Sequence, residues 1–333
     1  MDTFANRFLC HQLIVRDSND DIIGSSLVVL RKDKRAVLPL RRLFLNTAGE
    51  DDADNTVVEY NAVLCASEHA EAVHDAIAAY IGRSGADEFM LSGGTERAVA
   101  LCRHVLPTWR ADVEWRESPF VDLEALRAAG AGHLDVISRN TREQIRRSLR
   151  RYAERGELSV SLASTPLEMH QAFAEMVRLH EARWQAAGEL GGFATPLRKQ
   201  FHAAFVEHGG ATGHMHLLRV YAGGQLLGVL YNLVANGHVC FYQSGLQYEA
   251  DKQLKPGLVV HHLAIEHYLA NGYREYDFLP SETGEGRYKQ SLSTSSRRLG
   301  TLRLQRPGLR RRYFDAARRV KLLMNQRAAG ARS

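Results

Sequence analysis

The segment between residues 214 and 279 constrains the fold most, because its apolar stretches occur in the order strand, strand, strand, helix, strand. Gly223-Gly224 joins the first two strands and predicts a hairpin, and Asn236-Gly237 separates the second from the third. The helix has Pro256 at its start and Gly272 just beyond its end. The predicted strands are 214–221, 225–234, 238–244 and 275–279, and the predicted helix is 256–271. This alternation indicates an α/β (α+β) fold.

The chain of 333 residues is long enough for about two domains, and we predict a boundary near residue 120. The segment 109–122, with Pro107 and Pro119, is interpreted as a crossover between the two halves. Before it, strands at 9–15 and 22–30 form a predicted hairpin, and a helix over 67–83 begins at a Ser67 cap. No apolar run reaches eighteen residues and no leader pattern occurs, so we expect a cytoplasmic protein without a transmembrane segment.

Basic residues concentrate in two places. Residues 297–333 contain twelve Lys or Arg against the single acid Asp315, although the net charge of the chain is only +5. Residues 138–155 form a predicted basic helix, capped by Asn140 or Thr141, in which Arg142, Arg146 and Arg150 lie on one face. Both segments could bind a polyanion such as tRNA or an acyl carrier protein. The alternatives are a solvated tail and helix ion pairs of the type Glu143–Arg147.

The scattered cysteines and the histidines near residue 262 do not form the spacing of a metal site, so no metal is predicted. His180-Glu181 begins like a zinc-protease motif, but Trp184 stands where the second histidine must be. Residues 284–291 superficially resemble a phosphate loop but lack Gly-Lys-Ser/Thr, and we expect a strand after them. These patterns exclude a nucleoside triphosphatase and favour core or solvated histidines.

Residues 241–290 read FYQSGLQYEADKQLKPGLVVHHLAIEHYLANGYREYDFLPSETGEGRYKQ. This run, together with LHEARWQAAGELGGF upstream, resembles the BioF2-like (CelD-like) branch of the GNAT acetyltransferases, which is related to the Fem peptidoglycan aminoacyltransferases. The resemblance covers about residues 120–305, and LPLRRLFLNTAG and VVEYN give a weaker echo within residues 1–110. It implies tandem GNAT-like domains, each a mixed twisted sheet flanked by helices. The expected parts are a degenerate domain 1–120, a catalytic domain 121–305 and a basic segment 306–333.

The resemblance implies that strands 238–244 and 275–279 are parallel neighbours that splay apart to admit a pantetheine arm. The N-terminus of the helix between them offers free N–H groups to a pyrophosphate. The cofactor-binding residues are therefore expected to be Lys255, Pro256, Gly257, Leu258 and Val259, although GNAT enzymes ordinarily have an arginine- or glutamine-led glycine loop there. Acetyl-CoA or another acyl-CoA is the expected co-substrate.

The implied reaction is direct attack of a neutral amine on an acyl carbonyl. Asp277 is the candidate base or amine-orienting group, Lys289 a candidate oxyanion donor, and Tyr288 or Tyr242 a candidate acid for the leaving group. Each has a structural alternative: Asp277 could cap or pair with Lys289, Tyr242 could pack in the sheet, and Lys289 could contact phosphate.

Five further residues are expected to line the acceptor site, and for Trp184 and Tyr60 core packing is the alternative. They are Trp184, Arg183, Gln243, Tyr60 and Asn61. The acceptor would be a small-molecule or peptide amine. Besides an acyl-CoA-dependent N-acyltransferase, the sequence leaves open an aminoacyl-tRNA-dependent or carrier-protein-dependent transferase, and a binding module that has lost its chemistry.

Overall fold

The computed structural model describes residues 9–35, 38–49, 58–281 and 286–316. The chain divides into two compact units, one formed by residues 1–115 with 298–333 and the other by residues 116–297. The expected α/β (α+β) class, with mixed sheets flanked by helices, is confirmed. The domain limits at residues 120 and 305 stay a prediction, and most of the basic segment, from residue 317 onward, lies outside the described residues.

The first unit contains a mixed sheet of strand order β1-β2-β3-β5-β12, in which only β3 and β5 are parallel among the pairs with a described register. Its strands are β1 (Cys10–Arg16), β2 (Ile22–Arg35), β3 (Leu38–Leu45), β4 (Leu64–Cys65), β5 (Glu88–Thr95) and β12 (Ser295–Gln305), of which β4 pairs with β2 and β12 begins in the second unit. Helices α1 (Ala70–Arg83) and α2 (Glu96–Val105) cover an apolar core. The predicted hairpin of β1 and β2 is confirmed.

The second unit contains the sheet β6-β11-β10-β9-β8-β7, in which β10 and β11 are parallel and the other neighbours antiparallel. Its strands are β6 (Arg110–Asp122, beginning in the first unit), β7 (Leu158–Leu162), β8 (Met215–Ala222), β9 (Gln225–Ala235), β10 (His238–Leu246) and β11 (Glu275–Asp277). Its helices are α3 (Leu123–Ala128), α4 (His133–Val136), α5 (Arg139–Ala153), α6 (Pro166–Ala186), α7 (Pro196–Ala211), α8 (Pro256–Ala270) and α9 (Gly286–Leu292). Two apolar clusters pack against this sheet, one containing α8 and the other α6 and α7.

Local capping explains where several helices begin. Thr165 and Glu168 form a capping box at the start of α6, with Pro166 at its first position. The predicted cap of α5 at Asn140 or Thr141 is wrong: the helix already begins at Arg139, and the hydroxyl of Ser138 caps it by accepting from the Thr141 N–H at 3.2 Å. The predicted Ser67 cap is also wrong, since a 3₁₀ turn at Ser67–His69 precedes α1 and no side chain caps it.

Three other predictions about elements are wrong. The segment interpreted as a crossover is the strand β6, whose residues alternate between more and less exposed positions despite Pro119. The sequence near residues 297–304 predicts a last pair of strands, whereas the structure has the single strand β12 there. Residues 286–292, expected to lead directly into a strand, form helix α9, which carries Tyr288 and Lys289. In the described part of the chain, no helix combines the length and apolar character needed to cross a bilayer.

Candidate active site

The parallel strands β10 and β11 separate soon after they pair. Only three residue pairs join them, His238 with Glu275, Val239 with Tyr276 and Cys240 with Asp277. β10 continues for six residues beyond this point, to Leu246, whereas β11 ends. The parallel arrangement implied by the resemblance is therefore confirmed, and the edge of β10 after Cys240 faces an opening in the sheet.

The start of helix α8 lies beside the end of β10. A Cβ atom added at Gly257 would lie 3.5 Å from Leu246 Cδ1 and would meet nothing else within 4 Å. The hydroxyl of Ser148 on α5 donates to the Gln253 carbonyl (2.8 Å) and accepts from the Lys255 N–H (3.0 Å), which fixes the segment leading into α8. The five predicted cofactor-binding residues, Lys255 to Val259, thus form one helix N-terminus, with its dipole, at the opening.

Asp277 and Lys289 both hold the turn that follows β11. Asp277 is fully buried, and its Oδ1 accepts from the Ser118 hydroxyl (2.7 Å) and the Leu279 N–H (2.6 Å). The Lys289 ammonium donates to the carbonyls of Phe278 (2.8 Å) and Leu279 (3.5 Å). Leu279 has a left-handed backbone, with φ of 56°, which these bonds help to maintain. The contacts give both side chains a positioning task, and their catalytic roles stay predictions.

Aromatic side chains surround Lys289 on the α8 side of the sheet. Its ammonium lies 5.3 Å from the centre of the Phe241 ring, and His261 on α8 packs against Phe241 (4.5 Å between ring centres) and Tyr288 (5.9 Å). His261 is fully buried and bonds the Tyr276 hydroxyl through Nδ1 at 2.9 Å. Burial, with the nearby charge of Lys289, lowers the pKa of His261 to about 3, so the imidazole stays neutral.

Tyr242 belongs to the opposite cluster, with α6 and α7. The register of β10 on β9 shifts between Phe241 and Gln243, which makes Tyr242 the extra residue of a β-bulge. Its hydroxyl lies 3.4 Å from Nε2 of His202 on α7, and Nδ1 of His202 lies 3.3 Å from the Tyr231 hydroxyl. No sequence signal pointed to His202, because its two partners are 29 and 40 positions away in the chain.

His180 fastens helix α6 and the loop after it to β10. Its Nδ1–H donates to the Ser244 carbonyl (3.1 Å), and its Nε2 accepts from the Gly192 N–H (2.9 Å), so one neutral tautomer satisfies both bonds. Burial lowers the pKa of His180, which favours that neutral form. Within the described ranges, no group of three or more potential metal ligands occurs.

The residues predicted to line the acceptor site are distributed over both units. In the second unit, the half-buried Trp184 packs on His180 (5.9 Å between ring centres), the Arg183 guanidinium lies 4.9 Å from the Tyr248 ring centre, and Gln243 accepts from the Ser244 N–H. Tyr60 and Asn61 lie in the first unit, where the Asn61 amide donates to the Leu45 carbonyl (2.9 Å) and accepts from Asn46. Asn61 is thereby engaged in internal bonds, and an acceptor-binding role for the five residues stays a prediction.

The basic helix α5 exposes arginines that the expected ion pairs do not neutralise. Glu143 pairs with Arg146 (3.5 Å) rather than Arg147, and Arg151 pairs with Asp251 (2.7 Å). Arg139, Arg147 and Arg150 are exposed and have no ion pair with any residue that the structure describes. The face of α5 therefore carries uncompensated positive charge.

Residues 139–290 match the family model described as an acetyltransferase (GNAT) domain. FemX has a similar structure (TM-score 0.55, 11% identity, 90% of this chain and 89% of that chain), as does L-PGS from Bacillus licheniformis (0.55, 13%, 92% and 88%). A third is the C-terminal domain assigned to a lysylphosphatidylglycerol synthetase from Agrobacterium fabrum (0.54, 13%, 93% and 86%). No curated protein sequence matches the chain. Residues 139–290 therefore form a GNAT acyltransferase domain, and the chain shares its fold with FemX.

Proposed function

We propose that the protein transfers an acyl group from an acyl-CoA, acetyl-CoA in the simplest case, to an amine. The observation that carries the proposal is the separation of β10 from β11 after Cys240 and Asp277, beside the start of α8. An extended chain such as pantetheine could lie along the open edge of β10, and its pyrophosphate could accept from the N–H groups of Gly257 and Leu258. Pro256 has no N–H, so the donors that this first turn offers to a ligand are the N–H groups of Gly257 and Leu258.

The acyl thioester would supply the electrophilic carbonyl. The amine nitrogen forms the new C–N bond and loses a proton, while the C–S bond breaks and the leaving thiolate takes up a proton. We assign the proton donated to the thiolate to the Tyr242 hydroxyl, with Tyr288 as the second candidate. Tyr242 is favoured because it lies in the part of β10 beyond Cys240, where the pairing with β11 has ended, and because its hydroxyl is held by a buried side chain.

Asp277 remains the proposed base or amine-orienting group, and Lys289 the proposed source of positive charge beside the developing oxyanion. Both would act from fixed positions, because each is bonded to the turn at Phe278 and Leu279. Replacement by Asp277→Asn and Lys289→Met separates the two tasks: a fall in kcat in a variant that keeps its unfolding midpoint supports a catalytic role. Unchanged turnover in both variants refutes the assignment.

A second candidate donor is a large polyanion, an aminoacyl-tRNA or an acyl carrier protein. The unpaired arginines of α5 favour such a donor because they lie close to the proposed donor site. Ser148 on the same helix bonds the segment that leads into α8, so α5 and the start of α8 are neighbours. A phosphodiester backbone on this face would release counterions, so its affinity would fall about a thousandfold or more between about 50 and 200 mM salt. The similarity in fold to FemX agrees with this candidate without selecting it.

Turnover with purified protein tests the proposal. Acetyl-CoA is offered with a panel of primary amines, and release of the free thiol is followed with a thiol reagent. Amine-dependent thiol release that Tyr242→Phe reduces supports the acyl-CoA-dependent reaction. If no amine releases thiol, but labelled aminoacyl-tRNA transfers its aminoacyl group in a salt-sensitive reaction, the second candidate is correct.

A further inference from the structure

We propose that His202 is a positioning residue that donates a hydrogen bond to the phenolic oxygen of Tyr242 and so makes this tyrosine a better acid. The inference rests on the proposed function, because it concerns the residue assigned there to protonate the leaving group. His202 itself would touch neither the acyl donor nor the amine acceptor.

The side chain of His202 lies between two tyrosines on neighbouring strands. Its ring centre is 5.7 Å from that of Tyr231 on β9 and 5.2 Å from that of Tyr242 on β10. Each ring nitrogen faces one hydroxyl, at 3.3 Å and 3.4 Å respectively. His202 is only 2% exposed and Tyr231 only 1%, so water does not compete for the contact between them, whereas Tyr242 is partly exposed.

The number of donors and acceptors determines which group donates in each of the two contacts of His202. A neutral imidazole has one N–H and one bare nitrogen, so one tyrosine donates to His202 and the other accepts from it. Among the described residues the Tyr231 hydroxyl bonds only His202, and if it accepted there its own buried proton would have no acceptor. Tyr231 therefore donates to Nδ1, and the proton of His202 is on Nε2, where it points at the Tyr242 oxygen.

The environment keeps this tautomer neutral. Burial, with the charge of Arg198 on α7, lowers the pKa of His202 to about 3. Burial, with Tyr242 nearby, raises the pKa of Tyr231 well above its ordinary value, so Tyr231 retains its proton. The charged and titratable groups that act on His202 are thus Arg198, Tyr231 and Tyr242, and His202 serves as a fixed donor rather than as a proton carrier.

The hydrogen bond from His202 affects the reaction because it is strongest when the Tyr242 oxygen is anionic. A donor to an oxygen is worth more when that oxygen becomes anionic, as the Tyr242 oxygen does after it gives its proton to the leaving group. The Nε2–H of His202 is already in place, so no group has to reorient during the step. Over the cycle the amine loses one proton and the leaving thiolate gains one. Tyr242 is restored by a proton from solvent, and the proton taken from the amine returns to solvent, so the cycle balances.

Asparagine and glutamine at position 202 form a matched pair for the test. The amide of asparagine reaches about as far as Nδ1, and that of glutamine about as far as Nε2, so only His202→Gln can still donate to Tyr242. We expect His202→Asn to lower kcat about tenfold to a hundredfold and to shift the basic limb of the kcat pH profile upward. The kcat of His202→Gln should stay within about threefold of the wild-type value, and the basic limb of its pH profile should not shift.

Two further variants control for packing. Tyr231→Phe keeps the ring but removes the O–H that selects the tautomer, and it should shift the limb in the same direction by a smaller amount. His216→Leu removes a His–Tyr contact of the same 3.3 Å length, to Tyr268, and should leave the limb unmoved. Equal falls in His202→Asn and His202→Gln with an unmoved limb mean packing alone and overturn the proposal, as does an unchanged profile in both His202→Asn and Tyr231→Phe.

One readout needs no substrate. In ¹⁵N-labelled protein, the imidazole signals lost in His202→Gln report the tautomer of His202. We expect the Nε2–H form at neutral pH, and an Nδ1–H form or an imidazolium overturns the inference. If this result holds while no acyl donor is turned over, the proposed function has failed and the assignment of the hydrogen bond has not.

Discussion

Mild acid should unfold the second unit, because three histidines there are buried as neutral groups. His202, His261 and His262 are at most 6% exposed, and burial is the main cause that lowers the pKa of each to about 3. His262 has the additional effect of His133, whose Nδ1 lies 3.1 Å from its own Nδ1. In the unfolded chain the same groups take up protons near pH ~6.5.

The sign follows from proton uptake. A lowered folded pKa means that the unfolded chain binds more protons at every pH between ~3 and ~6.5, so the free energy of unfolding is largest above that window and falls as the pH decreases through it. The slope is at most about 1.4 kcal/mol per pH unit for each group, or about 4 kcal/mol for the three. Between pH ~6.5 and ~5 the loss reaches about 5 kcal/mol, comparable to the whole stability of many domains.

Urea unfolding at several pH values measures this slope. Trp184 is the one tryptophan of the second unit, so a variant with Trp109→Phe and Trp115→Phe reports unfolding of that unit by fluorescence. Adding His262→Gln should remove about a third of the slope, whereas His208→Gln, at an exposed position, should not change it. A free energy of unfolding that changes by less than about 1 kcal/mol between pH ~6 and ~5 contradicts the reasoning.

Three substitutions test contacts that fix the site. Ser148→Ala leaves the Gln253 carbonyl and the Lys255 N–H without their partner, so we expect a loss of about 1–3 kcal/mol in urea unfolding and weaker donor binding by calorimetry. Gly245→Ala would place a Cβ 2.3 Å from the Met176 carbonyl, forcing α6 away from β10, and should lower the thermal midpoint. Asn61→Ala should destabilise the first unit by about 1–3 kcal/mol; if it changes KM for the amine without a loss of stability, the predicted acceptor wall is supported instead.

The sequence predicts those helices and strands whose defining contacts join residues close together in the chain. The sequence Thr165-Pro166-Leu167-Glu168 predicts the start of a helix, and α6 begins there because Thr165 and Glu168 form a capping box within one turn. The crossover from β10 through α8 to β11 likewise follows from consecutive elements. Strand β6 was missed because Pro119 is a strong local signal against a strand, whereas its pairing with β11 depends on residues more than 150 positions away.

The chemistry of the site was less predictable, because burial and partners are set by contacts distant in sequence. Asp277 could be recognised at the end of its strand, but its bond to Ser118 joins residues 159 positions apart. His202 carries no motif, and only the packing of α7 on β9 and β10 brings its two nitrogens to two tyrosines. The predicted cofactor-binding residues lie together because they are consecutive in the chain.

Binding of acetyl-CoA tests the central claim most directly. Calorimetry at about 50 and 200 mM salt is compared between the wild type, Gly257→Leu, which fills the start of α8, and the control Gly82→Leu, a helical position with open space around it. We predict micromolar binding that persists at the higher salt, is unchanged in Gly82→Leu and is lost in Gly257→Leu. Absence of binding to the wild type, or equal binding to Gly257→Leu, contradicts a CoA site at this opening.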